Sequence, residues 1–372
     1  MLMIISKLFR HFFALFLVFI LFLNHYQLAS ATENTDTYEA KVTEIVNEVE
    51  VVTPNSDFPD TSQQLKLQIT NGERQGEDIY IEVVGNAYFE SFKYYVDDRV
   101  IVANHFDDQE SETFYITDYL RRPALIWLSI IFVSLALIVG RSQGLRSIIG
   151  LIGSFIIIFS FILPKIAAGH NPILMVILGS LLIVPLIFLL SHGFNRQTYV
   201  AMTATIITLI ITGFIIVFFV NMAKLTGLAS EEAGFIKAMS ANLINLKNLL
   251  IAGMLIATLG VLDDITIAQA GIVQQLKAAN PNFKIKDLYQ RAMKIGRDHI
   301  ASMINTLILV YAGASFPLLL LFLNSQQSLM ATINYEIIAD EIVRTLTGSI
   351  GLIIAVPLTT ILASWLEIEL GD

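Results

Sequence analysis

From Pro123 to the C-terminus the chain is a succession of apolar runs, most of them about as long as a bilayer is thick. A helix needs about 20 apolar residues to cross hydrocarbon. There it must satisfy its own backbone hydrogen bonds, which only helices and closed barrels do. The runs therefore predict a membrane-embedded all-α bundle of about seven transmembrane helices, with spans near 124–140, 147–167, 172–190, 199–221, 248–271, 300–323 and 345–366. The first is short and the fifth is interrupted by charge. Composition agrees: 55% hydrophobic residues, 15% charged residues and a mean hydropathy of +0.67. Soluble domains carry about a quarter charged residues. Cysteine is absent, which excludes disulfides, thiolate metal sites and a cysteine nucleophile. A net charge of -9 without a long basic run argues against a nucleic-acid partner.

Ahead of the bundle lie two other segments. Residues 1–31 carry Lys7, Arg10 and His11, then the apolar run Phe12–Leu23, then Ala29-Ser30-Ala31. That order reads as a secretory signal peptide, with an uncleaved signal anchor as the rival. Residues 32–120 hold twenty Asp and Glu against five Lys and Arg. Short β-branched runs at Tyr38–Thr43, Leu65–Thr70, Ile79–Val84, Arg99–Asn104 and Thr113–Thr117 alternate with turn signals at Asn71-Gly72, Gly85-Asn86 and Asp97-Asp98. They predict a small extracytoplasmic all-β domain, OB-like or another small barrel. Residues 121–372 are then the helical bundle. Seven spans put the C-terminus opposite residues 32–120, in the cytoplasm. Nine Lys and Arg fall in the loops so predicted to be cytoplasmic, against five in the outer loops and two at the domain junction. This is the positive-inside bias. The chain is thus expected in a bacterial plasma membrane, with the lipid bilayer as its first partner and a second copy or another membrane protein as a further one.

The most informative stretch is Gly260–Gln269, where Asp263 and Asp264 interrupt an apolar helix. Lys247 and Lys277 flank it, and their midpoint is residue 262. An ionisable side chain at mid-depth costs several kcal/mol unless paired, hydrated or protonated, so such groups mark ion, proton or substrate paths. Asp263, Thr266 and Gln269 recur every three residues and form one polar stripe, while Asp264 points about 100° away. Alternatively, Leu249–Leu262 ends at the membrane surface and the two aspartates are wetted. His299, Asn305 and Thr306 recur over two turns of the sixth span. Arg344 opens the last span beside Asp340 and Glu341, its nearest candidate partners; a pair with Asp263 or Asp264 across the bundle is the alternative. Residues 222–247 carry an amphipathic stripe of Phe235, Met239, Leu243 and Leu246, suited to a membrane surface.

Enzyme motifs fail on context. The string Gly140-Arg141-Ser142-Gln143-Gly144 matches a nucleophile elbow in letters, but an apolar span rather than a strand precedes it. Adjacent aspartates on one helix diverge, which does not suit a shared-proton dyad. No enzyme activity and no cofactor is expected, apart from a coupling proton or hard cation.

Gly260–Gln269, Gly296–His299 continuing through Asn305-Thr306-Leu307 to Tyr311–Ser315, Phe316-Pro317-Leu318, Glu341–Arg344 and His192–Arg196 together resemble the YibE/F-like family of bacterial multi-pass membrane proteins. The resemblance implies an integral membrane protein, loosely permease-like, and transfers no catalytic or binding residue. Two functions follow from the residues themselves. The first is a proton- or cation-coupled permease in which Asp263, Asp264, Thr266, Gln269, Asn305 and Thr306 bind the ion or substrate, with His299 and Arg344 as relay or ion pair. The second is a non-transporting sensor, scaffold or export-assisting component acting through the β domain.

Overall fold

The computed structural model describes residues 37–51, 60–84, 93–106, 112–240, 243–323 and 328–369. The expected signal segment lies outside them. The chain forms two compact units, one reaching Leu135 and the other starting at Ala136.

The first unit holds a five-stranded antiparallel sheet of β1 (Thr37–Val51), β2 (Asp60–Ile69), β3 (Asp78–Val84), β4 (Arg99–Phe106) and β5 (Glu112–Tyr119), in the order β3-β2-β1-β4-β5. Each strand takes in one of the five predicted runs, β2 stopping one residue short of Thr70. Alternation selects the core: Ala40, Val42, Leu65, Leu67, Ile69, Ile79, Ile81, Val100 and Val102 are buried, as a period of two requires. Register joins them, with Leu65 opposite Ile81, Leu67 opposite Ile79 and Val42, and Ala40 opposite Val100. β1 runs well past the predicted Thr43. Its second half is rich in Glu and Asn, so hydropathy hides it; its ladder with β2 makes it a strand. Register breaks at Val42/Glu44 and Ile45/Asn47 bend β1. The sheet curls until its outer strands, β3 and β5, meet. The buried Gln63 clips the segment at Tyr94 onto the sheet, donating to Tyr94 O and accepting from Tyr94 N.

The helical part comprises α1 (Arg122–Ile157), a π turn at Ile158–Ile162, α2 (Leu163–Ala167), α3 (Pro172–His192), α4 (Arg196–Met222), α5 (Glu231–Met239), α6 (Leu246–Ala279), α7 (Ile285–Ala314), α8 (Phe316–Leu323), α9 (Leu329–Ile333) and α10 (Glu336–Glu369). Among the described residues five helical runs are long and apolar enough to cross a membrane: Arg122–Ala167, Pro172–His192, Arg196–Met222, Leu246–Ala279 and Glu336–Leu366. α7 and α8, bent by 70°, make a sixth if counted as one span. The first run leaves helical geometry at Arg141 (φ 50°, ψ −130°), inside the predicted Gly140–Gly144 turn. There the Ala136 carbonyl crowds Gly144 so closely that a Cβ would collide with it.

Two elements differ from expectation. The helix of the predicted span near 300–323 starts earlier, at Ile285, because nothing between Ile285 and that span stops a helix; it breaks at Ser315, inside the predicted span and before Pro317. The amphipathic stretch forms the short α5, with Phe235, Met239 and Leu243 exposed and Leu246 buried at the start of α6. The bundle core is built by α3, α4, α6, α7 and α10, joined by Ile157, Ile162 and Ile166 from the end of α1, the π turn and α2.

Candidate functional site

α6 does not end at the aspartates. It continues through Asp263 and Asp264 to Ala279, with Thr266, Gln269, Ala270, Gly271 and Val273 buried beyond them. Asn245 caps its start by accepting from Asn248 N. Three helices cover its polar stripe. α4 runs antiparallel to it, with Gln197 Nε2 donating to Ile267 O at 2.9 Å. α10 runs alongside it, with Thr360 against Gln269. α7 crosses at Ala292 and Gly296.

Gln269 is the hub of this junction. It is 0% exposed. Its amide nitrogen donates to Thr360 Oγ1 at 2.7 Å and to Ala292 O at 3.2 Å, so one side chain joins α6, α7 and α10. Its Oε1 is buried without a partner. Glycine at 296 permits this contact: a Cβ there would lie 2.6 Å from Val356 and 3.1 Å from the Gln269 amide. One turn back along α6, Thr266 is also 0% exposed. Its hydroxyl meets Thr205 Oγ1 of α4 at 2.8 Å and reaches Asp263 O at 3.2 Å. Another turn back, Asp263 is half-buried, and its Oδ1 is buried with no hydrogen-bond partner. Two orphaned acceptors, Asp263 Oδ1 and Gln269 Oε1, thus flank a shared hydroxyl inside an apolar bundle.

The remaining candidates lie elsewhere. Asp264 is exposed, as its angular offset from Asp263 requires. Asn305 and Thr306 are on an exposed face of α7, where Thr306 donates to Ser302 O of its own helix. His299, three residues past Gly296, is half-buried, and its Nδ1 has no partner. Arg344 pairs locally with Glu341 at 2.6 Å.

The α4 half of the junction lies outside the residues that the sequence singles out. Thr198, Thr205, Thr208 and Thr212 are all fully buried. Their spacing of seven, three and four residues is a helical face of hydroxyls in an apolar helix, and that was the available signal. Thr258 of α6 lies against Gly348 of α10, Thr212 against Gly351 and Gln269 against Thr360, so a polar seam follows the α4–α6–α10 interface; Thr347, Ser349 and Thr359 of α10 are buried as well. Gly351 lets the seam close, since a Cβ there would lie 2.6 Å from Thr212 Oγ1. Most of these hydroxyls donate to the carbonyl four residues back, as Thr212 does to Thr208 O and Thr258 to Met254 O. Having spent their one proton, they offer the interface only lone pairs. The seam is therefore rich in acceptors and poor in donors, a lining suited to positive charge.

An N-terminal β unit followed by apolar spanning helices, with unpartnered acceptors inside the bundle, defines a polytopic helical membrane protein. The family model for YibE/F-like proteins matches residues 128–369, well over half of the 372-residue chain, and the chain belongs to that family. No curated protein and no solved structure matches it.

Proposed function

We propose that the protein is an ion-coupled permease whose coupling site lies on α6, with a proton or hard cation held by Asp263 and Gln269 and supported by Thr266, Thr205 and Thr360. The observation that carries this reading is the pair of buried, unpartnered oxygens, Asp263 Oδ1 and Gln269 Oε1. Orphaned acceptors in an apolar bundle are costly unless something positive visits them. Asn305, Thr306 and Asp264 face away from this junction, so the reading does not use them as ligands. His299, near the α7 crossing, is the relay candidate. The same reading takes the helix broken at Arg141 as two spans and α7 with α8 as one, which restores seven. It places the curled sheet, as an OB-like barrel, outside a bacterial plasma membrane with the C-terminus in the cytoplasm, and it assigns no enzymatic step.

The test is flux in proteoliposomes under imposed pH and cation gradients, paired with thermal melting across pH and a cation panel. A ligand bound only by the folded state raises the melting temperature in proportion to its occupancy. The expected result is gradient-driven flux that Asp263→Asn removes, together with a cation- or pH-dependent melting shift that the variant loses. No flux, and equal flat melting responses in wild type and variant, would leave the sensor or scaffold role through the β unit as the working function.

A further inference from the structure

We propose that the coupling ion is a proton and that Asp340, near the start of α10, is a second protonation site at the far end of the same polar seam; this rests on the permease reading above. Asp340 is 7% exposed, and its Oδ1 is buried without a hydrogen-bond partner. The charged groups acting on it are Glu336, Glu341 and Arg344, all on α10. None of them neutralises it. Glu336 is a second acid, and its Oε1 is committed to the Thr226 hydroxyl at 2.8 Å, the Gly227 amide at 3.0 Å and the Thr226 amide. Arg344 is engaged by Glu341 at 2.6 Å. A carboxylate in such a place needs a proton or a cation of its own.

The interval between Asp340 and Asp263 is marked by oxygens. Thr347 lies about 10 Å along the axis from Asp340, at 1.5 Å per residue. Thr258 faces Gly348, Thr212 crowds Gly351, and Thr208 carries a buried hydroxyl with no partner. Thr205 meets Thr266, which sits on α6 one turn from Asp263 and one turn from Gln269. These acceptors are strung out one after another. A hard metal cation takes six or more converging oxygens, and among the described residues no three His, Asp or Glu side chains cluster to hold a metal. A hydrogen-bonded file of water can instead link single acceptors and pass a proton by exchanging O–H bonds. Hydronium gives its proton to the Asp340 carboxylate, leaving water and a neutral carboxylic acid. The acid returns the proton to the next water in the file, and Asp263, whose charged neighbour is Asp264, receives it in the same way.

The experiment uses the full chain in proteoliposomes with a trapped pH-sensitive dye, comparing wild type with D263N, D340N, D340E, T208V and T208S. Melting and size-exclusion profiles serve as folding controls. The expected result is proton flux that D340N lowers to the level of protein-free vesicles. D340E and T208S should retain flux and T208V should reduce it, with no requirement for sodium or potassium. Full flux in D340N and T208V alongside none in D263N overturns this inference and leaves the permease reading intact. Flux that needs a metal cation overturns the proton assignment alone. Absence of flux in wild type overturns both. If D340N does not fold, the T208V and T208S pair decides.

Discussion

Gln269 carries the most structural consequence per atom in the bundle. Gln269→Leu removes donors to Thr360 and Ala292 on two other helices. We expect a loss of about 1–3 kcal/mol, the cost of leaving buried acceptors unpaired, read as a lower melting temperature in detergent. Thr205→Val breaks one interhelical hydroxyl pair. It should cost less, about 0.6 kcal/mol, the usual size of such bonds inside membranes. In the β unit the corresponding hub is Arg74, which pairs with Glu77 and Glu112 and lies 5.0 Å from the Phe114 ring centre. Its guanidinium holds both carboxyls below their ordinary value of 4.5. Carboxylates depressed in the fold stabilise it above their unfolded pKa, and that contribution is lost as pH falls through the folded values. Amide exchange in β2–β5, normalised to the intrinsic rate at each pH, should therefore accelerate as pH drops below about 4.5. The acceleration should be weaker in Arg74→Met, which has already lost both pairs.

At the level of elements, the helices are held at close range by missing side chains. Gly296→Val would drive a branched side chain into Val356 and the Gln269 amide. Overpacking of this kind costs about 1–3 kcal/mol, so α7 should loosen from α6 and α10 and the variant should melt early. The loop between α4 and α5 is fixed differently. Gly227 has φ +76°, a backbone region that L side chains avoid, and it presses against the Leu246 carbonyl. The Glu336 carboxylate gathers the amides of Thr226 and Gly227. Glu336→Ala should free this loop, seen as faster exchange of those two amides with little change in the sheet.

For the whole molecule, the decisive question is which side of the membrane each end occupies. The chain has no native cysteine, so single cysteines report topology directly. Glu73→Cys in the β unit should react with a membrane-impermeant maleimide on intact cells. Asn282→Cys, in the turn between α6 and α7, should react only after lysis. The reverse pattern would invert the proposed orientation.

Residue order alone separates a strand-forming part from an apolar helical one: five alternating runs form five strands, and most of the long apolar runs form helices long enough to cross a membrane. These are local properties, set by side-chain period and run length. It also singled out Asp263, Thr266 and Gln269, because polar residues in an apolar run stand out against their neighbours. What those residues meet is set by the packing of distant segments. Thr205, Thr360 and Gly296 lie 61, 91 and 27 positions from their partners Thr266, Gln269 and Gln269. Threonine and glycine are common packing residues in such helices, so nothing in the order of residues distinguishes the ones that close a site. The same holds for Asp340. In sequence it is one of several acids beside an arginine, and only the Arg344–Glu341 pair and the burial of its own oxygen set it apart. Hydropathy is a property of a segment, whereas an unpaired acceptor is a property of what packs around it.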